Sequence, residues 1–478
     1  MRNKPFYRYL AAAAVVLSFL AWGCKSSVVV RNENRTVPSN YRSDATDTMN
    51  SAKINWRKIF SDPYLVSLID TALKKNQELN VTMMEIEVSK NEVKAKKGDY
   101  LPFGSVRLGA GVDKAARYTR DGAVEESLDI KPGKPFPKPL GDFNVGVVFS
   151  WELDIWKKLR NGKKAAAARY LGSIEGKNFM VTNLVSEIAS AYYELLALDN
   201  QLAIIRQNIE IQTNALMIVK QQKEAAKVSQ LAVNRFEAQL LNTQNLRYEI
   251  QQQIVETENH INFLAGRFPQ PVARDAGSFN DLKLDSIYVG VPSQLLQNRP
   301  DIRRAEQELI ASKLDVKVAK AQFYPSIRLN AGVAFQAFNP AVWFNPQSIL
   351  YNFMGDLMAP LINRNAIQAA YNQANARQMQ AVYNYEKSIL VGYTDVVNQL
   401  SAIKNYGDSY STKAQESTIL NQSVEISTNL FNSARADYME VLLTQREALQ
   451  TKMELIEIKV KLLDSKVAVY KALGGGWQ

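Results

Sequence analysis

Two long stretches of the chain contain neither glycine nor proline: Lys177 to Ala265 and Asp408 to Leu473. Nothing in them obliges the backbone to leave a helix, so each is expected to be helix interrupted by one tight turn. In the first, Val181, Leu184, Ile188, Ala191, Leu195, Leu198, Leu202, Ile205 and Ile209 advance by alternating threes and fours. That is the period, about 3.5 residues, of a left-handed coiled coil. Leu442, Leu449, Met453, Ile456, Val460, Leu463, Val467 and Tyr470 repeat it near the C-terminus, with Arg446 the one exception. A helix from about Lys158 to Gln222 would be ~100 Å long, far beyond a globular domain.

The remaining segments alternate in a different way. From Asp142 to Trp156 the odd positions Phe143, Val145, Val147, Phe149, Trp151, Leu153 and Ile155 are apolar, while Asp142, Asn144, Ser150, Glu152 and Asp154 are polar. Val106, Leu108, Ala110 and Val112 alternate against Ser105, Arg107, Gly109, Gly111 and Asp113. A period of two with one oily face reads as strand. Such strands, on the order of ten residues, are long enough to cross a membrane when tilted. Aromatic residues crowd beside them, including Trp156, Trp343, Phe344, Tyr351 and Phe353. A soluble sandwich would also alternate, but it would need neither that length nor those aromatics.

The chain repeats itself. Ser105-Val-Arg-Leu-Gly-Ala-Gly-Val112 returns as Ser326-Ile-Arg-Leu-Asn-Ala-Gly-Val333, each copy closely following a proline, Pro102 or Pro325. Each half therefore reads helix, strand, loop, strand, very long helix, turn, helix. The expected fold is mainly α with membrane β, built from duplicated strand-strand-long-helix hairpin units.

At the N-terminus, basic residues precede an apolar run, Leu10 to Leu20, too short to span a bilayer. It reads as a signal peptide over 1–23, and Ala21-Trp-Gly-Cys24 resembles a lipobox that would leave Cys24 as an acylated N-terminus. One acylated end anchors without spanning. Lys25 and Ser26 follow in place of an aspartate, which points to the outer membrane.

Catalytic inventories are nearly empty. The chain has one histidine, His260, and one cysteine, and no Gly-Lys-Ser/Thr phosphate loop. No enzyme activity, cofactor or metal is expected, and no Met- or His-rich tract suggests metal cargo. The net charge of +11 does not indicate nucleic acid, because acids and bases interleave along the helices, as in Glu85, Glu87, Lys90, Glu92 and Lys94.

Four membrane strands leave open edges, which hydrocarbon penalises by several kcal/mol per unpaired backbone group. Several chains must therefore share one closed barrel, with the long helices prolonging it as a hollow bundle. Polar positions Arg107, Asp142, Asn144, Glu152, Asp154, Arg328 and Asp356 would then line a water-filled, weakly selective wall. The competing reading is a non-conducting periplasmic coiled-coil structural or adaptor lipoprotein, which accounts for the hairpins but not for the strands.

Several motifs, in order, resemble those of TolC-like outer-membrane factors, particularly the lipoprotein branch working with resistance-nodulation-division (RND) transporters. They are Trp56-Arg-Lys-Ile-Phe-Ser-Asp-Pro-Tyr-Leu65, Ser150-Trp-Glu-Leu-Asp-Ile-Trp156, Val291-Pro-Ser-Gln-Leu-Leu-Gln-Asn-Arg-Pro-Asp-Ile302 and Ala472-Leu-Gly-Gly-Gly-Trp477. The resemblance implies a homotrimer with a twelve-stranded β-barrel continued by an α-helical coiled-coil periplasmic tunnel. It implies an exit duct for substrates that an inner-membrane RND-type transporter delivers through a periplasmic adaptor. Ala226, Lys227 and Val228, with Ala434, Arg435, Ala436, Asp437 and Tyr438, resemble the tips that meet the adaptor; relatives often carry glycine at the second tip. Relatives close the tunnel with acids before that tip, where this chain offers Ser423, Glu425 and Ser427.

The expected division follows. Residues 1–23 are the signal peptide and 24–60 a lipidated extended segment. Residues 61–265 form the first repeat, with strands at about 103–118 and 142–156 and a helical hairpin at 158–265. An equatorial connector occupies 266–297. Residues 298–473 form the second repeat, with strands at about 326–338 and 348–360 and a hairpin at 364–473, before a tail at 474–478.

Overall fold

In a computed structural model, residues 31–41, 49–282, 288–362, 364–433 and 435–477 are described. Cys24 and the expected signal peptide lie outside the described residues. Helix α1 (Pro63–Lys75) starts where Asp62 accepts from the backbone N–H groups of Tyr64 and Leu65, with Pro63 at the first helical position. Asn76 ends it and caps α2 (Gln77–Tyr100), which leads into β1 (Phe103–Asp113). Strand β2 (Leu140–Leu153) returns into α3 (Lys158–Glu224), and α4 (Gln230–Leu264) folds back along it. The second half repeats the plan with α5 (Pro300–Ala321), β3 (Ser326–Ala337), β4 (Ile349–Met358), α6 (Asn365–Asn432) and α7 (Tyr438–Ala472).

The duplication is close in length as well as order. α3 and α6 contain 67 and 68 residues, α4 and α7 35 each. At about 1.5 Å per residue each long helix reaches ~100 Å. The four main strands form one antiparallel sheet in the order β1-β2-β3-β4. The helices joined to them pack in matching order, α2 on α3, α3 on α5, α5 on α6. Each strand of the sheet is thus prolonged by one helix.

The α3 seam lies as its period requires: Val181, Leu184, Ile188, Ala191, Leu195, Leu198, Leu202 and Ile205 are all buried. In α7 the exception at Arg446 has a local cause. Arg446 is exposed and its neighbour Gln445 turns into the seam instead, buried between Leu442 and Leu449. Where α3 and α5 meet, Ala165, Ala168 and Ala311 form a close-packed contact. Small side chains there let the helix axes approach as neighbouring barrel staves do.

The strands end sooner than the alternation suggests. β1 stops at Asp113 and not at 118; the chain beyond it forms a short helix, Arg120–Ser127, and a two-stranded ribbon, Asp129–Lys131 with Lys134–Pro135. β2 ends at Leu153, so Ile155 and Trp156 belong to the connection into α3.

A cap on the helix layer comes from the N-terminal segment. Residues 31–41 run as a strap over α5 and α6. Arg31 and the Asn34 N–H bind Glu386, Glu33 binds Lys313, Arg35 binds Glu306, and Tyr41 stacks on Tyr393 at 5.7 Å between ring centres. Below the strap, the Arg299 of the Asn-Arg-Pro-Asp motif is buried. It ties α5 to α6 and to the end of α7 by pairing with Asp301 at 2.6 Å and Asp395 at 3.2 Å and donating to the Ala472 carbonyl at 2.9 Å. Removing one partner of such a buried group would leave a charge without compensation.

Candidate functional site

The sheet has two chemically distinct faces. Residues opposite each other in antiparallel strands share a face, and on one face the register pairs apolar with apolar. Val106 faces Val147, Leu108 faces Val145 and Ala110 faces Phe143. Val147 meets Val333, Trp151 meets Leu329 and Leu153 meets Ile327. Ala331 meets Phe353 and Val333 meets Tyr351. In the isolated chain this apolar face is bare: Val106 is 75% exposed, Leu108 73%, Tyr351 81% and Phe353 76%. A contiguous oily surface of that kind, on strands with this length, fits hydrocarbon and not water.

Aromatic clusters mark both ends of this face. Away from the helices, Phe143 and Phe335 pack against Trp343 and Phe344, whose rings stack at 5.4 Å. Toward the helices, Trp151 donates to the Tyr100 carbonyl, and Trp156 stacks on Tyr324 at 4.6 Å while donating to the Pro325 carbonyl. From Phe143 to Trp151 is about 26 Å of strand, which at a tilt of ~40° rises ~20 Å and so fits within the ~25 Å apolar band of membrane barrels, whose interfaces carry aromatic girdles.

The opposite face carries the charged and amide side chains beside small residues, with Val148, Leu350, Met354 and Met358 as its apolar members. Arg107 lies opposite Gly146, Asp142 opposite Gly111, and Asn144 between Gly109 and Gln336. Glu152, Arg328 and Asp356 fall in one row across β2, β3 and β4. Arg328 is 3.9 Å from Glu152, and Asn330 donates to Asp356 at 3.0 Å. Gln336 donates to Asp142 at 2.8 Å. Six of the seven expected lumenal residues therefore share this face.

Asp154 does not. It lies one residue beyond β2, only 8% exposed, and accepts from the backbone N–H groups of Leu159 and Arg160 and from the Arg160 side chain. Burial opposes its charge, but those donors win and hold its carboxyl below the usual range. α3 needs this arrangement because the residue at its N-cap, Lys157, has φ of 59° and supplies no capping side chain. Asp154 is a helix cap; the alternation carried it into the lumenal set because its parity matches the strand before it.

At the far end, Ala226 closes α3 with φ of 54°, the left-handed turn that glycine usually fills. Lys227 N–H bonds to the Gln222 carbonyl, and Ser229 accepts from the Ala232 N–H to start α4. The second tip makes the equivalent bond, Arg435 N–H to the Leu430 carbonyl. Ala436, Asp437 and Tyr438 lead from it into α7, and Ala434 lies outside the described residues. Ser423 and Ser427 turn their hydroxyls onto their own helix, at Ile419 and Val424, and Ser427 is buried. Glu425 is exposed and stands on another side of α6. The single chain does not bring the three together.

His260 lies on the surface of α4, its Nε2 3.4 Å from Glu187. Among the described residues no cluster of His, Cys, Asp or Glu could hold a metal, and no helix is long and apolar enough to cross a membrane.

A family model described as outer membrane efflux protein matches residues 68–267 and 291–475. The chain is 27% identical over 465 residues to the pyoverdine export outer membrane protein OpmQ of Pseudomonas aeruginosa, covering 96% of this chain and 95% of that one. It is 25% identical over 463 residues to the cation efflux system protein CusC of Escherichia coli, covering 95% and 96%. Its fold is similar to that of the Neisseria gonorrhoeae MtrE outer membrane channel in the open state, with TM-score 0.83 at 20% identity, covering 95% and 99%. With a membrane-suited sheet continued stave by stave into a helical wall, the chain belongs to the outer membrane efflux protein family and is an outer-membrane efflux channel.

Proposed function

We propose that three copies of this chain close one twelve-stranded barrel, which their helices extend into the periplasm as a tunnel. Cargo delivered by an inner-membrane RND-type transporter enters through a periplasmic adaptor and leaves passively, since the chain has no nucleotide-binding loop of its own. One observation carries this reading: the sheet is apolar on one face, polar on the other, and open at both edges, β1 and β4. Pairing the β4 edge of one copy with the β1 edge of the next satisfies every backbone group that hydrocarbon would otherwise leave bare. The outermost helices also keep apolar residues uncovered, Met84 at 60% and Val88 at 69% on α2 and Leu390 at 68% on α6.

The tips at Ala226, Lys227 and Val228 and at Ala434, Arg435, Ala436, Asp437 and Tyr438 are the adaptor contacts. Ser423, Glu425 and Ser427 lie in the last turns of α6 before the second tip, where a gate would close. Acylated Cys24 anchors the strap in the outer membrane.

Two experiments test the proposal. The purified full-length oligomer is expected to give discrete, long-lived conductance steps in planar bilayers, and a non-conducting oligomer would favour the bridging-lipoprotein alternative. Cys24→Ser is expected to abolish metabolic labelling with radioactive palmitate; labelling that persists would refute acylation at this residue.

A further inference from the structure

The helical wall carries guanidinium groups that have no ion-pair partner among the described residues. A cleft of about 920 Å³ runs between α5 and α6, flanked by α3. Arg169, Arg304 and Arg377 line it together with Asp301, Glu308 and Asp315. Glu308 and Asp315 share Arg169, and Asp301 shares Arg299 with Asp395, so the lining carries three acids against three arginines, with the acids drawn onto Arg169 and Arg299 and away from Arg304 and Arg377. Arg304 and Arg377 are exposed, and among the described residues neither has an ion-pair partner. Arg304 extends across Gly176 of α3, its Cδ 3.7 Å from where a β-carbon would sit. The other polar groups that α6 gives the cleft, Gln373, Gln380 and Asn384, are neutral amides.

Two independent observations place this cleft on the inner side of the wall. First, the strap holds Glu306 and Lys313 of α5 and Glu386 and Tyr393 of α6. Helical spacing puts these residues on the side opposite Arg304, Glu308 and Asp315, and opposite Arg377. A strap leading to an acylated cysteine must run on the lipid side, so the cleft faces away from lipid. Second, Glu152 on the polar face of the sheet pairs with Lys158 of α3. Lys158 shares one surface groove with Arg169 and Asp315, and those two continue into the arginine cleft. The polar wall of the barrel and the cleft are one surface.

We propose that Arg304 and Arg377 form an anion-attracting girdle on the inner wall of the tunnel, and that the cargo passing it bears carboxylate or phosphate groups. This rests on the channel reading and names the substrate class for it. Guanidinium forks match the planar oxygens of both groups, and walls of low dielectric concentrate their field across a narrow lumen. Each copy in a closed tube adds two such groups, so the girdle acts on whatever crosses it without a closed pocket.

The full-length oligomer tests this in planar bilayers under a potassium chloride gradient. The chloride-to-potassium permeability ratio is expected to fall about twofold or more in Arg304→Gln/Arg377→Gln and further in Arg304→Glu/Arg377→Glu. An unchanged ratio overturns the girdle. A second readout does not depend on conduction: the oligomer should broaden the phosphorus-31 line of inorganic phosphate, and the double glutamine variant should not. Equal broadening by both proteins also overturns the girdle. A wild-type oligomer that fails to conduct yet broadens the line through these arginines would overturn the channel reading and leave the anion site standing.

Discussion

Adjacent residues in the middle of β4 test the assignment of faces. Phe353 lies on the apolar face beside Ala331, 76% exposed in the isolated chain. Its neighbour Asn352 lies on the polar face opposite Gly332, where the missing side chain leaves room. An arginine at the lipid-facing midpoint of a barrel costs ~2–4 kcal/mol, while the same residue in the lumen costs little. Losing the phenyl ring from an apolar environment adds up to ~1.5–3 kcal/mol in the same direction. Phe353→Arg is therefore expected to destabilise each copy by roughly 3–7 kcal/mol, and Asn352→Arg by about 1 kcal/mol or less. Urea unfolding of full-length protein in lipid vesicles measures both, with the surviving SDS-resistant oligomer as a second readout. If Asn352→Arg proved as damaging as Phe353→Arg, the division into lipid and water faces would be refuted.

Three further outcomes follow from local geometry. Ala226→Gly relieves a left-handed residue at the first tip and should stabilise the hairpin by ~0.5–1 kcal/mol, seen as slower amide exchange around residues 222–232; faster exchange would show that the turn is built otherwise. Asp154→Ala removes the cap of α3 and leaves Arg160 without its carboxylate, so a loss of about 2 kcal/mol or more is expected in the same unfolding assay, and a neutral result would return this residue to the lumenal set. Asp464 is pushed up to about 6 by burial, with the Glu194 carboxylate adding to it and a Ser190 hydrogen bond opposing it. Its folded value lies above the unfolded one, so the protonated form is favoured in the fold, and stability falls as pH rises from about 4 through 6. Asp464→Asn should accordingly raise the Tm at pH 7.5 by an amount worth under ~3 kcal/mol and change nothing near pH 3.5; an equal effect at both pH values would exclude the titration.

The sequence made the strands legible because two solvents act on them. Lipid on one side and water on the other favour a period of two, which is clear in the apolar row of β4, broken only by Gly355, and weaker in its other row, where Leu350, Met354 and Met358 join Asn352 and Asp356. The α3 seam was legible because a packed helix seam tolerates little variation. Strand ends were not, since alternation continues by chance through Asp154 and Ile155 after backbone pairing has stopped. Arg446 stands where the period calls for an apolar residue, and Gln445 beside it fills the seam. Arg304 lies two residues past the Asn-Arg-Pro-Asp-Ile motif and Arg377 in no motif, and nothing local to either tells which way it faces. That depends on the strap over the opposite side of α5 and α6, a contact between residues about 350 positions apart whose pairing no periodicity encodes. The three expected gate positions do not form one cluster in the single chain: Ser423 and Ser427 bond to their own helix and Glu425 stands on another side of it, a division that their closeness in sequence does not reveal.

The seam between copies is the most direct point of attack. Outward residues must pair with outward residues across it, so Leu108→Cys on β1 combined in turn with Tyr351→Cys, Phe353→Cys and Leu357→Cys on β4 scans the register in full-length protein, each single variant serving as control. At least one pair should oxidise between chains and give a denaturing-gel ladder that stops at three copies of the processed chain. Only monomer at every pairing, or a ladder running past three, would contradict a closed three-copy barrel.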